Sequence, residues 1–159
     1  METTYYLEMN DPQAHIIRPL PSNLLLSEIR KDQPGFNKAL YQMVGEPWQW
    51  TDKLSLSKQE WVDYVQRDEL RTWVAYCDGA IAGYFELEKQ GSDVEIKYFG
   101  LTREFIGQGL GSPLLSAAVQ NAWQWPGTDR VWVHTCTLDH PNALNTYQRS
   151  GFKIYNLNP

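Results

Sequence analysis

The strongest constraint on the fold is a β-forming stretch in the middle of the chain, broken only by two short turns. Thr72 to Cys77 is rich in β-branched and aromatic residues, and Asp78-Gly79 follows it as a two-residue hairpin turn. Ala80 to Glu88 is the return strand, and a third strand covers Asp93 to Leu101 after the second turn. Three strands joined in this way predict an antiparallel meander.

After the meander the apolar residues change to a helical period. They recur at every fourth position from Leu110 to Ala122, which predicts a helix over Gly109 to Trp123. Val131 to Thr137 is a strand reached through this helical crossover. It is therefore expected to lie parallel to the strand Asp93 to Leu101.

A short helix and a short strand are expected at the end of the chain. Asp139-His140-Pro141 opens the helix, with Asp139 or His140 as its N-cap and Pro141 in its first positions. The helix runs to Ser150, and Gly151 is its left-handed exit. Phe152 to Tyr155 then forms the final strand.

The N-terminal third has weaker signals and is expected to be mainly helical. His15 to Leu20 is predicted as a first strand, and Asn37 to Val44 as a helix. A second helix begins at Ser57, where Glu60 completes a capping box. The element order predicts an α+β fold, in which helices flank a mixed sheet.

Composition limits the class of protein. A chain of 159 residues fits one domain, 1–159, and the formal net charge of −5 argues against a nucleic-acid partner. That charge is compatible with a cationic substrate such as an amine, or simply with solubility. No apolar run predicts a membrane span or a secretory signal, and two cysteines suggest free thiols, so we expect a cytoplasmic protein.

The segment Gly107 to Ser112, with the sequence GQGLGS, lies between a predicted strand and a predicted helix. Three glycines in five residues leave backbone N–H groups unshielded, and the helix N-terminus adds partial positive charge. Such a loop can bind a phosphate or a pyrophosphate, although a tight turn without a ligand is the alternative interpretation.

Two other phosphate-binding motifs do not fit this segment. A Walker loop needs Lys and then Ser or Thr after its last glycine, whereas Gly111 is followed by Ser112-Pro113. A dinucleotide fingerprint needs a third glycine where this chain has Ser112 or Leu114. It also needs an early βαβ unit, whereas antiparallel strands precede this loop.

Two segments resemble the GNAT superfamily of N-acetyltransferases. Ile106 to Gly111 is similar to the family signature, with Ile106 where the family usually has Gln or Arg. Asn142 to Phe152 looks like the family's closing motif of Asn and Ala, then Tyr, then Gly-Phe. The resemblance covers roughly residues 72–155 and implies a mixed, mostly antiparallel sheet in an α/β/α sandwich.

The resemblance also implies the cosubstrate and its binding residues. Acetyl-CoA would donate an acetyl group to an amine of a small molecule or a peptide. Its diphosphate would bind the glycine loop, and its pantetheine arm would lie along a bulged strand that splays from the next one. Gly100 is consistent with this bulge. The residues implied are Phe99, Gly100, Leu101, Ile106, Gly107, Gln108, Gly109, Gly111, Ser112 and Asn142.

Two catalytic roles follow from acetyl transfer to an amine. Tyr147 is the candidate proton donor to the leaving thiolate, with packing on the sheet as its alternative role. Glu95 is the leading general base, directly or through water, and Glu86 is in reserve. Strand alternation places Glu95 on one face with Lys97, Phe99 and Leu101. For Glu95, pairing with a neighbouring charge is the structural alternative.

Other residues admit further interpretations. His134, Cys136, Asp139 and His140 lack the spacing of a structural zinc site, so no metal is expected. Cys136 as an acyl-accepting nucleophile would require a histidine base and ping-pong kinetics. Trp48, Trp50 and Asp52 line the acceptor side or, alternatively, cover the core.

Three functional hypotheses therefore remain from the sequence. The first is an acetyl-CoA-dependent N-acetyltransferase, in which a homodimer is possible. The second is a CoA-binding module without catalysis, which the Ile106 substitution favours slightly. The third is a structural or interaction domain whose glycine loop is only a turn.

Overall fold

One seven-stranded sheet organises the chain, in a computed structural model that describes residues 2–159. The strands are β1 (Thr4–Met9), β2 (Leu24–Glu28), β3 (Leu70–Cys77), β4 (Ala80–Gln90), β5 (Asp93–Leu101), β6 (Arg130–Cys136) and β7 (Lys153–Asn158). Their spatial order is β2-β3-β4-β5-β6-β1-β7. Every neighbouring pair is antiparallel except β5 and β6, which are parallel as the helical crossover predicted.

Four α-helices cover the two faces of this sheet. They are α1 (Pro34–Gly45), α2 (Lys58–Val65), α3 (Gly111–Gln124) and α4 (Ala143–Arg149). Helices α1 and α2 pack on one face, around buried Tyr84 and Val74, whereas α3 packs on the other, around Phe85 and Leu87. The α/β/α sandwich predicted from the sequence is therefore confirmed.

Local signals account for the best-predicted elements. Asp78 and Gly79 both have positive φ, at 50° and 82°, which is the backbone of a two-residue hairpin turn. Ser57 accepts from the backbone N–H of Glu60, and Glu60 accepts from that of Ser57, so the capping box is present. These interactions lie within a few residues of one another, and the sequence pattern alone predicts them.

A bulge in β5 changes which side chains share a face. Leu87 pairs with Ile96 and Glu86 with Tyr98, so Lys97 has no partner on β4. The bulge therefore lies at Lys97, not at Gly100 as the sequence suggested. Beyond it the alternation is shifted by one residue.

Because of this bulge, the prediction that Glu95 shares a face of β5 with Phe99 and Leu101 is wrong. Phe99 and Leu101 pack against the core on the α3 side, together with Val94 and Ile96. Glu95 points to the opposite face of the sheet, as strand alternation from its buried neighbours requires.

The N-terminal segment differs most from its prediction. His15 to Leu20 is not a strand but an extended crossing over α3, where His15 Nε2 lies 3.0 Å from Ser116 Oγ. The first strand is instead β1, inserted between β6 and β7. β2 was also not predicted, and it forms the edge next to β3.

The turn before α4 also differs from its prediction. Pro141 precedes the helix, and the N-cap position is Asn142. The ring Nδ1 of His140 accepts from the Asn142 N–H at 3.0 Å. The carboxylate of Asp139 bonds elsewhere, to Trp50 and Thr135.

Candidate active site

A cleft of about 590 Å³ opens where β5 and β6 diverge. The two strands pair only from Asp93 to Glu95 on β5, opposite Arg130 to Trp132 on β6. Beyond Glu95 the edge of β5 that faces β6 has no strand partner among residues 2–159. The splayed slot that the family resemblance implied is therefore present in the fold.

Most residues proposed for cosubstrate binding line this cleft. They come from the unpaired part of β5, from the glycine loop and from the start of α4: Phe99, Gly100, Leu101, Ile106, Gly107, Gly109, Gly111, Ser112 and Asn142. Tyr147 lines it as well.

The glycine loop offers a run of free backbone donors. Within residues 2–159, the N–H groups from Gly107 to Ser112 donate to no protein acceptor. Gly107 and Gly109 have φ of +84° and +77°, and a Cβ added at either would meet no atom within 4 Å. The loop leads directly into α3, whose N-terminus contributes partial positive charge. This donor set fits an anionic group such as a diphosphate.

Gln108 was predicted to bind the cosubstrate, but its side chain does not point into the cleft. Its Nε2 donates to the carbonyl of Glu104 at 3.0 Å, and the residue does not line the cleft. Only its backbone amide remains available to a ligand. Ile106 does line the cleft. It is apolar, whereas the family usually has a polar Gln or Arg at this position.

Tyr147 lies at the base of the cleft, between two aromatic rings. Its ring centroid is 6.2 Å from that of Phe99 and 6.0 Å from that of Phe152. Burial, and next the charge of Asp139, raise the pKa of the Tyr147 phenol. The phenol therefore stays protonated at neutral pH, as a proton donor must, but it gives up its proton less readily than an exposed tyrosine does.

Asn142 is free to contact a ligand. It occupies the N-cap position of α4, but its side chain makes no capping hydrogen bond. The alternative role of a simple cap is therefore absent. The residue lines the cleft.

Glu95 is buried at the point where the strands diverge, and it does not line the cleft. Its Oε1 accepts from Gln90 Nε2 at 2.9 Å and lies 3.7 Å from Lys97 Nζ. Its Oε2 lies 3.5 Å from His134 Nε2. Burial raises the pKa of the Glu95 carboxyl, against the opposing effect of Lys97.

His134 is a cleft residue to which the sequence gave no definite role. It lies on β6 just beyond the last residue paired with β5, and it lines the cleft. One signal in the sequence could have indicated this position. His134 follows Trp132 by two residues on the strand that borders the slot, so the two side chains share one face of that strand.

The opposite wall of the cleft comes from the loop after α1. Trp48, Trp50 and Asp52 line the cleft, and Trp50 also packs against the Tyr41 and Tyr98 rings. Both oxygens of Asp52 accept from phenols, those of Tyr41 and Tyr98, each at 2.7 Å. Asp52 thus holds the wall together.

Glu86 lies beneath this wall and outside the cleft. It is completely enclosed and accepts from Tyr64 at 2.7 Å and from Asn37 at 3.0 Å. Burial raises its pKa, although both hydrogen bonds act in the opposite direction. A residue in this position cannot touch a substrate, so its reserve role as the base is not supported.

Cys136 lines the cleft, but its environment does not favour a thiolate. Burial raises the pKa of the thiol, and the nearby Asp139 charge acts in the same direction. The environment of Cys136 therefore does not support the hypothesis that this thiol is an acyl-accepting nucleophile. In the part of the chain that the structure describes, no group of three or more His, Cys, Asp or Glu side chains is arranged to hold a metal.

Comparison with known families identifies the family of the chain. Residues 37–152 match the family described as the acetyltransferase (GNAT) family. The chain belongs to this family. The matched range includes the splayed strands, the glycine loop and Tyr147.

One curated GNAT relative is the mycothiol acetyltransferase of Corynebacterium aurimucosum. It is 32% identical over 103 residues, which are 60% of this chain and 33% of the relative. The chain thus spans about a third of the length of that protein.

Solved GNAT structures share the fold at low identity. A GCN5-related N-acetyltransferase from Sphaerobacter thermophilus has a TM-score of 0.74 at 16% identity, over 98% of this chain and 49% of that one. Another from Kribbella flavida has a TM-score of 0.70 at 16% identity, over 98% and 55%. This chain therefore corresponds to about half of each of these proteins.

Among the described residues, no helix has both the length and the apolar character needed to cross a bilayer.

Proposed function

We propose that this GNAT domain transfers the acetyl group of acetyl-CoA to an amine by direct attack in a ternary complex. The observation that carries the proposal is one continuous cleft with three parts. Free amides from Gly107 to Ser112 lie in one part, the unpaired edge of β5 in the second, and the Tyr147 phenol in the third.

Each part meets a different requirement of the donor. The loop amides and the α3 N-terminus would neutralise the diphosphate of CoA. The unpaired β5 edge would hydrogen-bond an extended amide-containing arm as a strand would. Asn142, whose side chain is not used in capping, would add a polar contact. Acetyl-CoA supplies a thioester carbonyl that an amine can attack.

The acceptor side suits a group that carries positive charge before reaction. The wall includes the aromatic rings of Trp48 and Trp50, and acidic Asp139 lies beside them. Aromatic faces and carboxylates together attract cations. The amine must lose a proton to attack, and this costs a lysine-like amine roughly 4 kcal/mol at pH 7.

A thiol-release assay with acetyl-CoA against a panel of amines tests the proposal. The panel should include peptide N-termini, lysine, polyamines, amino sugars and small amines. We expect thiol release with at least one amine class, with initial velocities that intersect when both substrates are varied. Parallel lines would indicate a covalent acyl-enzyme, such as one on Cys136, and would contradict direct attack.

Binding of the donor distinguishes the remaining hypotheses. A concentration of acetyl-CoA one hundred times Kd should stabilise the fold by about 2.7 kcal/mol. For a chain of this size that corresponds to a rise in Tm of about 5–10 °C. Stabilisation without turnover would indicate a CoA-binding module without catalysis. Absence of any stabilisation would indicate that the glycine loop is only a turn.

A further inference from the structure

We infer that His134 is the residue that accepts the proton of the amine, and that Glu95 is a positioning residue which orients the His134 ring. The inference rests on the proposed function, and it assigns the proton acceptor in the same cleft. It also changes the role that the sequence suggested for Glu95.

The two side chains differ in their access to the cleft. The Glu95 side chain is 3% exposed, whereas that of His134 is 47% exposed. His134 lines the cleft and Glu95 does not. An acceptor amine can therefore reach the imidazole, but the carboxylate lies behind it.

The strand register places the pair at the point of divergence. Glu95 is the last β5 residue paired with β6, and its partner there is Trp132. His134 follows Trp132 by two residues on the same face, one step further into the cleft. Its Nε2 lies 3.5 Å from Glu95 Oε2.

The carboxylate is held so that one oxygen remains for the imidazole. Gln90 Nε2 donates to Glu95 Oε1 at 2.9 Å, and Gln90 Oε1 accepts from Trp132 Nε1 at 3.1 Å. Lys97 also lies on the Oε1 side. Because Oε2 faces His134 Nε2, the hydrogen of the neutral ring is favoured on Nε2. The Nδ1 lone pair is then free to accept a proton.

The surroundings of the ring contain few competing charges. Besides Glu95, the titratable or charged groups that face the ring are Lys97 on β5, Glu88 on β4, Tyr6 on β1 and Cys136 on β6. Tyr6 contacts the imidazole through its ring, with centroids 5.8 Å apart. The Glu95 carboxylate is thus the nearest anion when the ring becomes positively charged.

The chemical step balances with this assignment. The amine nitrogen forms a bond to the thioester carbonyl carbon, and the bond from that carbon to sulfur breaks. The proton on nitrogen moves to His134 Nδ1, and the imidazolium is stabilised by Glu95. The sulfur takes a proton from Tyr147, and both side chains then exchange protons with solvent.

Nitrogen-15 NMR of the three histidines tests the orientation without any turnover. Above the titration range of imidazole, we expect the Nε2–H tautomer for His134, assigned with His134→Gln. Glu95→Gln should increase the Nδ1–H population. The matched control Glu88→Gln removes a neighbouring carboxylate that does not contact the ring, and should leave the tautomer unchanged. An Nδ1–H ring in the unmodified protein would overturn the inference.

Kinetics test the proton transfer itself. His134→Ala should lower kcat at neutral pH by about 100-fold or more, with little change in KM for acetyl-CoA. Added imidazole should restore part of kcat, because the open position of the ring admits a small base. A purely structural role for His134 predicts no such rescue. The control His15→Gln changes a histidine that bonds to Ser116 away from the cleft, and should keep full activity.

The outcomes separate this inference from the proposed function. A wild-type protein that acetylates no amine contradicts the proposed function and this inference together. An active His134→Ala variant with unchanged kcat contradicts this inference alone. Loss of activity without imidazole rescue also overturns it, because that result indicates a structural role for His134.

Discussion

Trp50 Nε1 donates to Asp139 Oδ1 at 3.1 Å, and this bond joins the two walls of the cleft. Trp50 follows α1, whereas Asp139 precedes α4. The other Asp139 oxygen accepts from the Thr135 hydroxyl on β6. One carboxylate therefore fixes the acceptor wall relative to the strand that borders the slot.

Asp139→Ala should destabilise the fold by about 1–3 kcal/mol, because it leaves the Trp50 and Thr135 donors without their acceptor. In a chain of this size that lowers Tm by about 2–12 °C. Thermal unfolding measures the effect. Asp68→Ala, at an exposed aspartate, should change the free energy of unfolding by less than about 0.5 kcal/mol. Equal Tm values for both variants would show that the bond does not hold the walls together.

Gly109→Ala separates backbone strain from ligand binding. Its φ of +77° disfavours any side chain, although the space for a Cβ is open. We expect a loss of about 1 kcal/mol in stability and weaker acetyl-CoA binding, because relief of the strain would turn the loop amides away from the diphosphate.

Gly79→Ala is the matched control for that variant. Gly79 has a φ of +82° and equally open space, but it lies in the β3–β4 hairpin turn. The two variants should lose similar stability in urea unfolding, while calorimetry should find weaker acetyl-CoA binding only for Gly109→Ala. Unchanged affinity in Gly109→Ala would count against the loop as the diphosphate site.

The sequence predicted those parts of the fold that depend on neighbouring residues. The Asp78-Gly79 turn sets the β3–β4 hairpin, and the crossover through α3 sets the parallel pairing of β6. The position of β1 between β6 and β7 depends on contacts between opposite ends of the chain. No local pattern in Thr4–Met9 specifies those partners.

The site was predictable to a similar extent. The glycine loop and Tyr147, which line the cleft, could be singled out because their motifs are local. The bulge at Lys97 arises from pairing with β4, and it changed the face of Phe99 and Leu101. The burial of Glu95 behind His134 results from the divergence of two strands, which periodicity along either strand does not reveal.

Glu86 makes the stability of the fold depend on pH. Burial raises the pKa of this carboxyl in the folded state, so the folded protein binds its proton more tightly than the unfolded chain does. Its contribution to the free energy of unfolding should therefore fall as pH rises, beginning near the ordinary glutamate pKa of about 4.3 and continuing to the raised value.

Glu86→Gln should remove that part of the pH dependence and be at least as stable as the wild type at neutral pH. The new amide can keep the bond from Tyr64, and rotation of the Asn37 amide turns its unpartnered oxygen toward the new donor. Urea unfolding at several pH values measures this, with the exposed Glu69→Gln as control. A loss of several kcal/mol at neutral pH would mean that the ionised form of Glu86 stabilises the fold.

Tyr147→Phe tests the proton donor of the proposed reaction. Phenylalanine keeps the ring contacts with Phe99 and Phe152, so the fold and acetyl-CoA affinity should change little. Loss of the hydroxyl should lower kcat by about 100-fold or more, because the leaving thiolate then lacks its proton source.

Calorimetry gives the affinity of this variant and thiol release gives its kcat. Tyr41→Phe is the matched control. It also removes a buried phenol, but Tyr41 does not line the cleft, and its hydroxyl bonds Asp52 in the opposite wall. That variant should lose stability and keep the same acetyl-CoA affinity. If Tyr147→Phe turned over at the wild-type rate, the proton would have to reach sulfur from another group, and the burial of Tyr147 would serve packing alone.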